Sequence, residues 1–241
     1  MIKTTKVVTT VLLWISLLSA APLKIYYEAS YMGVPLLNMT LTWVENDSSI
    51  QISYDNQLKP FIAYFHPIHN IYKVEFKRES FAPLSWSKTV SEGNMHFEFA
   101  ATRSIDGTTV TYSDDIQLEF PQDGFTVFSA THYLANKAPD IDFFPVTLPI
   151  FIDGEIWEAT AQRFDSRNPH PDHTLENDVI LIQADLHYIR GKSLIENNDI
   201  LTSVIATEGT QFLLWVNQEG HYTKAQFGKF PKAVVLDQII K

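Results

Sequence analysis

Tyr72-Lys73-Val74-Glu75-Phe76-Lys77 decides the fold class. Every second residue is apolar and every residue between is charged. Successive side chains of a β-strand point to opposite faces, so this stretch reads as a half-buried antiparallel strand. Met95-His96-Phe97-Glu98-Phe99 repeats the rule. Outward from these two runs lie the stripes Leu37/Met39/Leu41/Trp43, Ile50/Ile52/Tyr54, Val110/Tyr112 and Ile116/Leu118/Phe120. Between them stand turn formers: Glu45-Asn46-Asp47, Glu92-Gly93-Asn94, Asp106-Gly107, Asp153-Gly154 and Gln218-Glu219-Gly220. Gly and Asn supply the positive φ that tight hairpins require. The template yields roughly a dozen strands.

One segment leaves the two-residue period. Asp123 caps a helix in this reading, starting near Gly124 and ending near Asn136, before Pro139. The expected fold is therefore mainly β: a single curved antiparallel sheet or half-open β-barrel, with one short helix packed on it. Residues 164–178 and 190–199 read as surface loops. Without repeats or a linker, residues 22–241 form one antiparallel β domain.

Residues 1–21 form the preceding unit. Lys3 and Lys6 precede a mostly apolar run, Val7 to Leu18, and Ser19-Ala20-Ala21 supplies small residues for cleavage. That pattern is a secretory signal peptide, cut after Ala20 or Ala21, with an uncleaved anchor as the alternative. The expected location is periplasmic or secreted, with no transmembrane span after signal cleavage. An outer-membrane barrel is disfavoured by the sparse glycine and the interior helix.

The chain of 241 residues is 45% hydrophobic, carries a net charge of −10 and has no cysteine. An acidic surface repels phosphate backbones, so no nucleic-acid partner is expected. Thiol nucleophiles, iron–sulfur clusters and cysteine zinc sites are excluded. With no P-loop, dinucleotide fingerprint or Gly-x-Ser-x-Gly elbow, no cofactor is expected and no catalytic residue is assigned.

Several motifs in order resemble the bacterial exported domain of unknown function 3108 family. They are LKIYYEASYMGVPLLNMTLTW with its Met32-Gly33-Val34-Pro35 turn, VTYSDDIQLEFPQDGFTVFSATHYL, and LLWVNQEGHYTKAQFGKF. Two features depart from that family: no Gly-Thr-Phe triplet precedes VILIQADLHY, and Asp123-Gly124 stands where an Asp-Pro pair is usual. The resemblance implies an exported, largely antiparallel β protein with no catalytic residues to carry over.

Candidate chemistry is thin. His66/His69 and His170/His173 flank prolines, and neutral imidazole is a common metal ligand, but two exposed loops explain them as well. Asp165, Asp172 and Glu176 would have to complete the second pair. Paired carboxylates such as Asp114-Asp115 and Asp140/Asp142 fit solvated turns. Asn38-Met39-Thr40 and Asn46-Asp47-Ser48 match a glycosylation sequon, which carries no meaning in a bacterial chain. The aromatic supply says more. Trp43, Tyr72, Phe76, Phe97 and Phe99 would line the apolar face of a curved sheet, able to hold an apolar or lipid-like ligand. The expected role is non-enzymatic: binding such a molecule, or supporting the cell envelope. Two alternatives stand beside it. One is an envelope hydrolase using loop carboxylates or a His170/His173 metal site. The other is an interaction module that docks an envelope protein through a strand edge.

Overall fold

The computed structural model describes residues 21–64, 67–176, 178–194, 199–229 and 232–239. The expected signal peptide, apart from Ala21, and His66 lie outside the described residues. Among the described residues fifteen strands form one sheet. In chain order they are β1 (Leu23–Tyr31), β2 (Val34–Glu45), β3 (Ser49–Leu58), β4 (His69–Lys77), β5 (Pro83–Glu92), β6 (Met95–Arg103), β7 (Thr109–Tyr112) and β8 (Gln117–Glu119). There follow β9 (Phe125–Thr126), β10 (Val146–Ile152), β11 (Glu155–Phe164), β12 (Ile180–Gly191), β13 (Gln211–Val216), β14 (Tyr222–Phe227) and β15 (Val234–Ile239). Among the described residues the helices are a single turn α1 (Pro60–Ala63), α2 (Val127–Lys137) and α3 (Ile200–Ile205).

The sheet runs β8 to β1 and then β15 back to β9, so the first and last strands pair in its middle. Every ladder is antiparallel except β9 on β10. The two ends of this order, β8 and β9, are consecutive in the chain and only Phe120–Gly124 separates them. So short a link holds both sheet edges near each other, and the sheet curls into a barrel with a seam. No ladder joins β8 to β9. Aromatic packing fills the seam instead: Phe120 lies 5.1 Å from Phe151 and 5.9 Å from Trp86, ring centre to ring centre. Arg190 on β12 also reaches Glu119 on β8, at 2.5 Å.

The period-2 reading of β4 holds: Tyr72, Val74 and Phe76 are buried while Lys73 and Lys77 are exposed. Ile116 is the exception among the stripes, since it falls in the turn before β8 and is exposed.

Helix α2 sits inside the curl. Val127, Ser129, Ala130, Thr131, His132, Leu134 and Ala135 are all buried, more than one face can account for. It contacts β4, β9, β10 and β13. Its cap differs from the sequence expectation. Asp123 adopts a positive φ of 54° in the preceding turn, and the N-cap is Thr126. The Thr126 hydroxyl accepts the Ser129 N–H at 3.2 Å, and the Ser129 hydroxyl accepts the Thr126 N–H at 3.0 Å. At the other end Arg163 donates to the Ala138 carbonyl at 2.7 Å, a cation on the terminal carbonyls.

Candidate functional site

The inner face of the sheet carries a chemical gradient set by register. Tyr54 pairs with Tyr72, Tyr72 with Lys88, and Lys88 with Phe99, across β3, β4, β5 and β6. Lys88 is 6% exposed. Its ammonium donates to Asp153 at 2.7 Å, Asp199 at 3.0 Å and the Thr202 hydroxyl at 2.8 Å. These are all three of its donors. It also stands 5.3 Å from the centre of the Phe99 ring and 5.9 Å from that of Phe97.

Each partner is placed by local backbone chemistry. Asp153 and Gly154 form the two-residue turn between β10 and β11, with φ of 46° and 103°. At Gly154 a Cβ would lie 2.6 Å from the Lys192 carbonyl, and at Gly191 it would run into the Gly154 carbonyl. Glycine at both positions lets the turn press against the end of β12, which sets Asp153 beside Lys88. Asp199 is the N-cap of α3 and accepts the Thr202 N–H at 3.0 Å. The Tyr72 hydroxyl donates to Asp199 at 2.6 Å. Glu92, buried two strand periods beyond Lys88 on β5, accepts from Asn70 at 2.5 Å and from the Ile200 N–H at 3.2 Å.

Electrostatics follow from burial and pairing. Burial works against the Lys88 charge, but Asp153 and Asp199 outweigh it and hold its pKa above the usual lysine value. Burial likewise penalises the Asp199 carboxylate, yet Lys88 and the Tyr72 hydrogen bond win and keep it below the usual range. For Asp153 burial wins over Lys88, and its pKa is raised. One cation thus faces the carboxylates of Asp153 and Asp199.

Two cavities flank this cluster. The first has a volume of about 60 Å3, within about 530 Å3 of space that includes its mouth, and its walls include Trp86, Lys88, Phe99, Phe151 and Asp153. The second also measures about 60 Å3, within about 680 Å3, between Met39, Asn56, Asn70, Glu92, Phe227 and Leu236. Tyr72, Phe128 and Leu201 wall both. Both are small and predominantly apolar. Larger clefts lie beside Arg190, about 780 Å3, and beside Thr207, about 520 Å3.

The five sequence candidates separate here. Tyr72 walls both cavities and Phe99 the first. Phe76 is wholly buried and packs on Phe81 and His132, filled core where α2 plugs the barrel. Trp43 meets Phe76 and His132 edge-on and borders a void of about 10 Å3 apart from these two cavities. Phe97 lies over Lys88 without lining either cavity.

His170 and His173 do come together, ring centres 4.7 Å apart. Both His170 nitrogens are engaged, however. Nδ1 accepts the Asp172 N–H at 3.0 Å, which leaves the proton on Nε2, and Nε2 donates to Gln183 at 2.7 Å. His173 packs edge-on against Trp215. Asp165 serves the loop: it accepts from Arg163 at 2.6 Å and from the N–H groups of Arg167 and Asn168. No group of three or more metal-ligating side chains converges among the described residues. His69 is exposed and bonded to Asp55 at 3.0 Å.

Lys88 and Asp199 escaped the sequence reading, and Asp153 and Glu92 entered it only as turn formers, though the signal was present in β5. Trp86, Lys88, Val90 and Glu92 share one phase of the alternation. A lysine and a glutamate in phase with a tryptophan and a valine mark charges that face inward.

No family model matches the chain, and no curated protein matches it. A solved structure does resemble it: the beta-barrel-like protein of domain of unknown function DUF1849 from Brucella abortus. The TM-score is 0.55 over 90% of this chain and 95% of that one, at 7% identity. The fold is barrel-like. At that identity the likeness carries the architecture alone, and it supports a domain of unknown function without singling out the 3108 family. No helix among the described residues is long and apolar enough to cross a membrane.

Proposed function

We propose that this chain is an exported, non-enzymatic binding domain that holds a slender apolar or lipid-like molecule inside its barrel. The observation that carries this reading is the pair of apolar cavities sharing the wall Tyr72, Phe128 and Leu201. Apolar pockets with a few convergent polar groups are the usual form of small-molecule sites. Their small volume suits a straight alkyl chain lying against the wall they share. The signal-like residues 1–21 support export to the periplasm, and the motif order supports kinship with the domain of unknown function 3108 family.

Native mass spectrometry of the protein purified from its own host's envelope fraction tests the reading. The expected result is an adduct that organic solvent extracts. A bare polypeptide mass, together with no saturable uptake of an apolar probe, would refute it.

A second reading, docking to an envelope protein, draws on exposed apolar side chains at one end of the barrel. Phe61 and Tyr64 by α1 are 83% and 86% exposed, and Met32 and Val34 at the β1–β2 turn are each 52% exposed. The Lys59 N–H bonds the Leu36 carbonyl at 2.9 Å, which sets α1 against the start of β2. Exposed apolar groups gathered this way mark contact surfaces. Co-purification with a protein in place of a small molecule would favour this reading.

A further inference from the structure

The second cavity carries a polar strip in an otherwise apolar wall. Strand register builds it. Met39 on β2 pairs with Asn56 on β3, and Asn56 with Asn70 on β4. An isolated antiparallel bridge sets Ile68 opposite Glu92, the last residue of β5. Asn56, Asn70 and Glu92 all wall the cavity, and hydrogen bonds tie them into one group. The Asn70 side chain donates to Glu92 Oε1 at 2.5 Å and accepts the Ser91 N–H at 3.1 Å. Asn56 donates to the Asn70 carbonyl at 3.4 Å, the one hydrogen bond of its amide among the described residues. That bond is long, and an amide can make several, so Asn56 keeps capacity for a ligand. Asn70 and Glu92 are buried. No lysine, arginine or histidine is among the described residues that wall this cavity, so Glu92 brings its one formal charge. Met39, Phe227, Val234 and Leu236 give the rest of the wall an apolar surface.

We propose that the second cavity binds an amphiphile by a hydrogen-bond-donating head, an ammonium in preference to a hydroxyl, held at Asn56 and Glu92, and that it rejects carboxylate and phosphate heads. The inference rests on the apolar-cavity reading above and adds the chemistry of the head. The tail lies against Met39, Phe227, Val234 and Leu236. An ammonium donates to the Glu92 carboxylate and to the Asn56 amide oxygen, and charge-assisted bonds of this kind are the strong ones. A hydroxyl makes the same contacts without the charge. An anionic head has only acceptors to offer, meets the Glu92 carboxylate and finds no cation in the wall. Like charges in a desolvated site repel strongly.

Titration calorimetry of the full chain with octylamine, 1-octanol and octanoate at pH 7 tests this with one tail and three heads. Octylamine is expected to bind tightest, octanol next, and octanoate at least about tenfold more weakly than octylamine, the range of one charged hydrogen bond. Glu92→Gln keeps an oxygen for Asn70 and the Ile200 N–H but removes the charge. It should weaken octylamine by at least about tenfold and leave octanol nearly unchanged. Attraction of octylamine by the acidic surface as a whole would survive that substitution. Asn56→Leu, at a half-buried position, tests the site independently if Glu92→Gln proves unstable. It should weaken octylamine and octanol by about 2- to 13-fold, the range of one neutral hydrogen bond. Equal binding of the three probes, or octylamine affinity unchanged in a folded Glu92→Gln, would overturn the head site and leave the apolar-cavity reading standing. No saturable binding of any probe would overturn the cavity reading itself. Unchanged affinities in Asn56→Leu would remove Asn56 from the site.

Discussion

Tyr54 on β3 and His132 on α2 share a hydrogen bond of 2.5 Å at the centre of the barrel, where the helix meets the sheet. The Tyr222 hydroxyl joins them, 3.2 Å from Tyr54 and 3.4 Å from His132. Burial, with a smaller push from His221, lowers the His132 pKa to about 3. The imidazole is therefore neutral in the folded state throughout the physiological range. The unfolded chain protonates it near 6.5. Between those values the unfolded state binds more protons, so stability falls as pH falls, by about 1.4 kcal/mol per pH unit at most. Urea unfolding at pH 7 and pH 5 should show a loss of about 2 kcal/mol from this group. His132→Phe should flatten the slope over that interval. An unchanged slope in the variant would contradict the burial of a neutral imidazole.

Lys88 supplies a second prediction. Lys88→Met leaves Asp153 and Asp199 buried without their cation, which costs about 3–5 kcal/mol. Asp199→Asn should cost more than Asp153→Asn, because only Asp199 is held below its usual pKa by its partners. The pH signs are opposite for the two carboxylates. Asp199 contributes stability above its unfolded pKa and loses it as pH falls through its lower folded value. Asp153 binds its proton more tightly when folded, so its ionisation reduces stability as pH rises past the usual aspartate range. The Lys88 contribution is complete below its unfolded pKa of about 10.4 and is lost at more alkaline pH. Chemical denaturation of the three variants across pH 3–11 reads each sign.

The seam between β8 and β9 depends on side chains, so it should be the most sensitive place for an aromatic deletion. Phe120→Ala removes the ring between Trp86 and Phe151 and should cost about 3–5 kcal/mol. Amide exchange in β7 and β8 should rise first, since no ladder joins that edge to β9 and the packing around Phe120 holds it. Loss of protection spread evenly over the sheet would argue against a seam held by packing.

Gly191→Ala tests how Asp153 is positioned. Its φ of 112° and the nearby Gly154 carbonyl leave no room for a Cβ. The β10–β11 turn must move, with a cost of about 1–3 kcal/mol. The Asp153–Lys88 contact should loosen with it. Measured by the same denaturation, Gly191→Ala and Asp153→Asn should be non-additive. Strict additivity would separate the turn from the cluster.

The strands of the chain's first half were legible because each presents one face to water, and alternation reports that directly. β4 and β3 show it residue by residue. The interior strands of the second half were less so: Ile180, Leu181 and Ile182 are all buried in β12, and no period marks such a run. The cap of α2 was misplaced because Asp123 has the right chemistry, whereas Thr126 and Ser129 satisfy one another three residues on. Tyr72 and Phe99 could be read as inward aromatics. Which inward aromatics border empty space depends on where α2 packs, and that is a tertiary fact. The Lys88 cluster joins residues 88, 153 and 199 across three parts of the chain, so only its inward phase was visible beforehand.

The central claim is that the barrel interior takes up an apolar ligand. The most direct test uses the neutral fluorophore N-phenyl-1-naphthylamine with the wild-type chain and with Leu201→Trp. Leu201 walls both cavities, so the larger ring intrudes on the space they enclose. The account predicts saturable fluorescence enhancement in the wild type and its loss in the variant, with melting temperatures within a few degrees of each other. Equal enhancement in both proteins would place the probe elsewhere and contradict the claim.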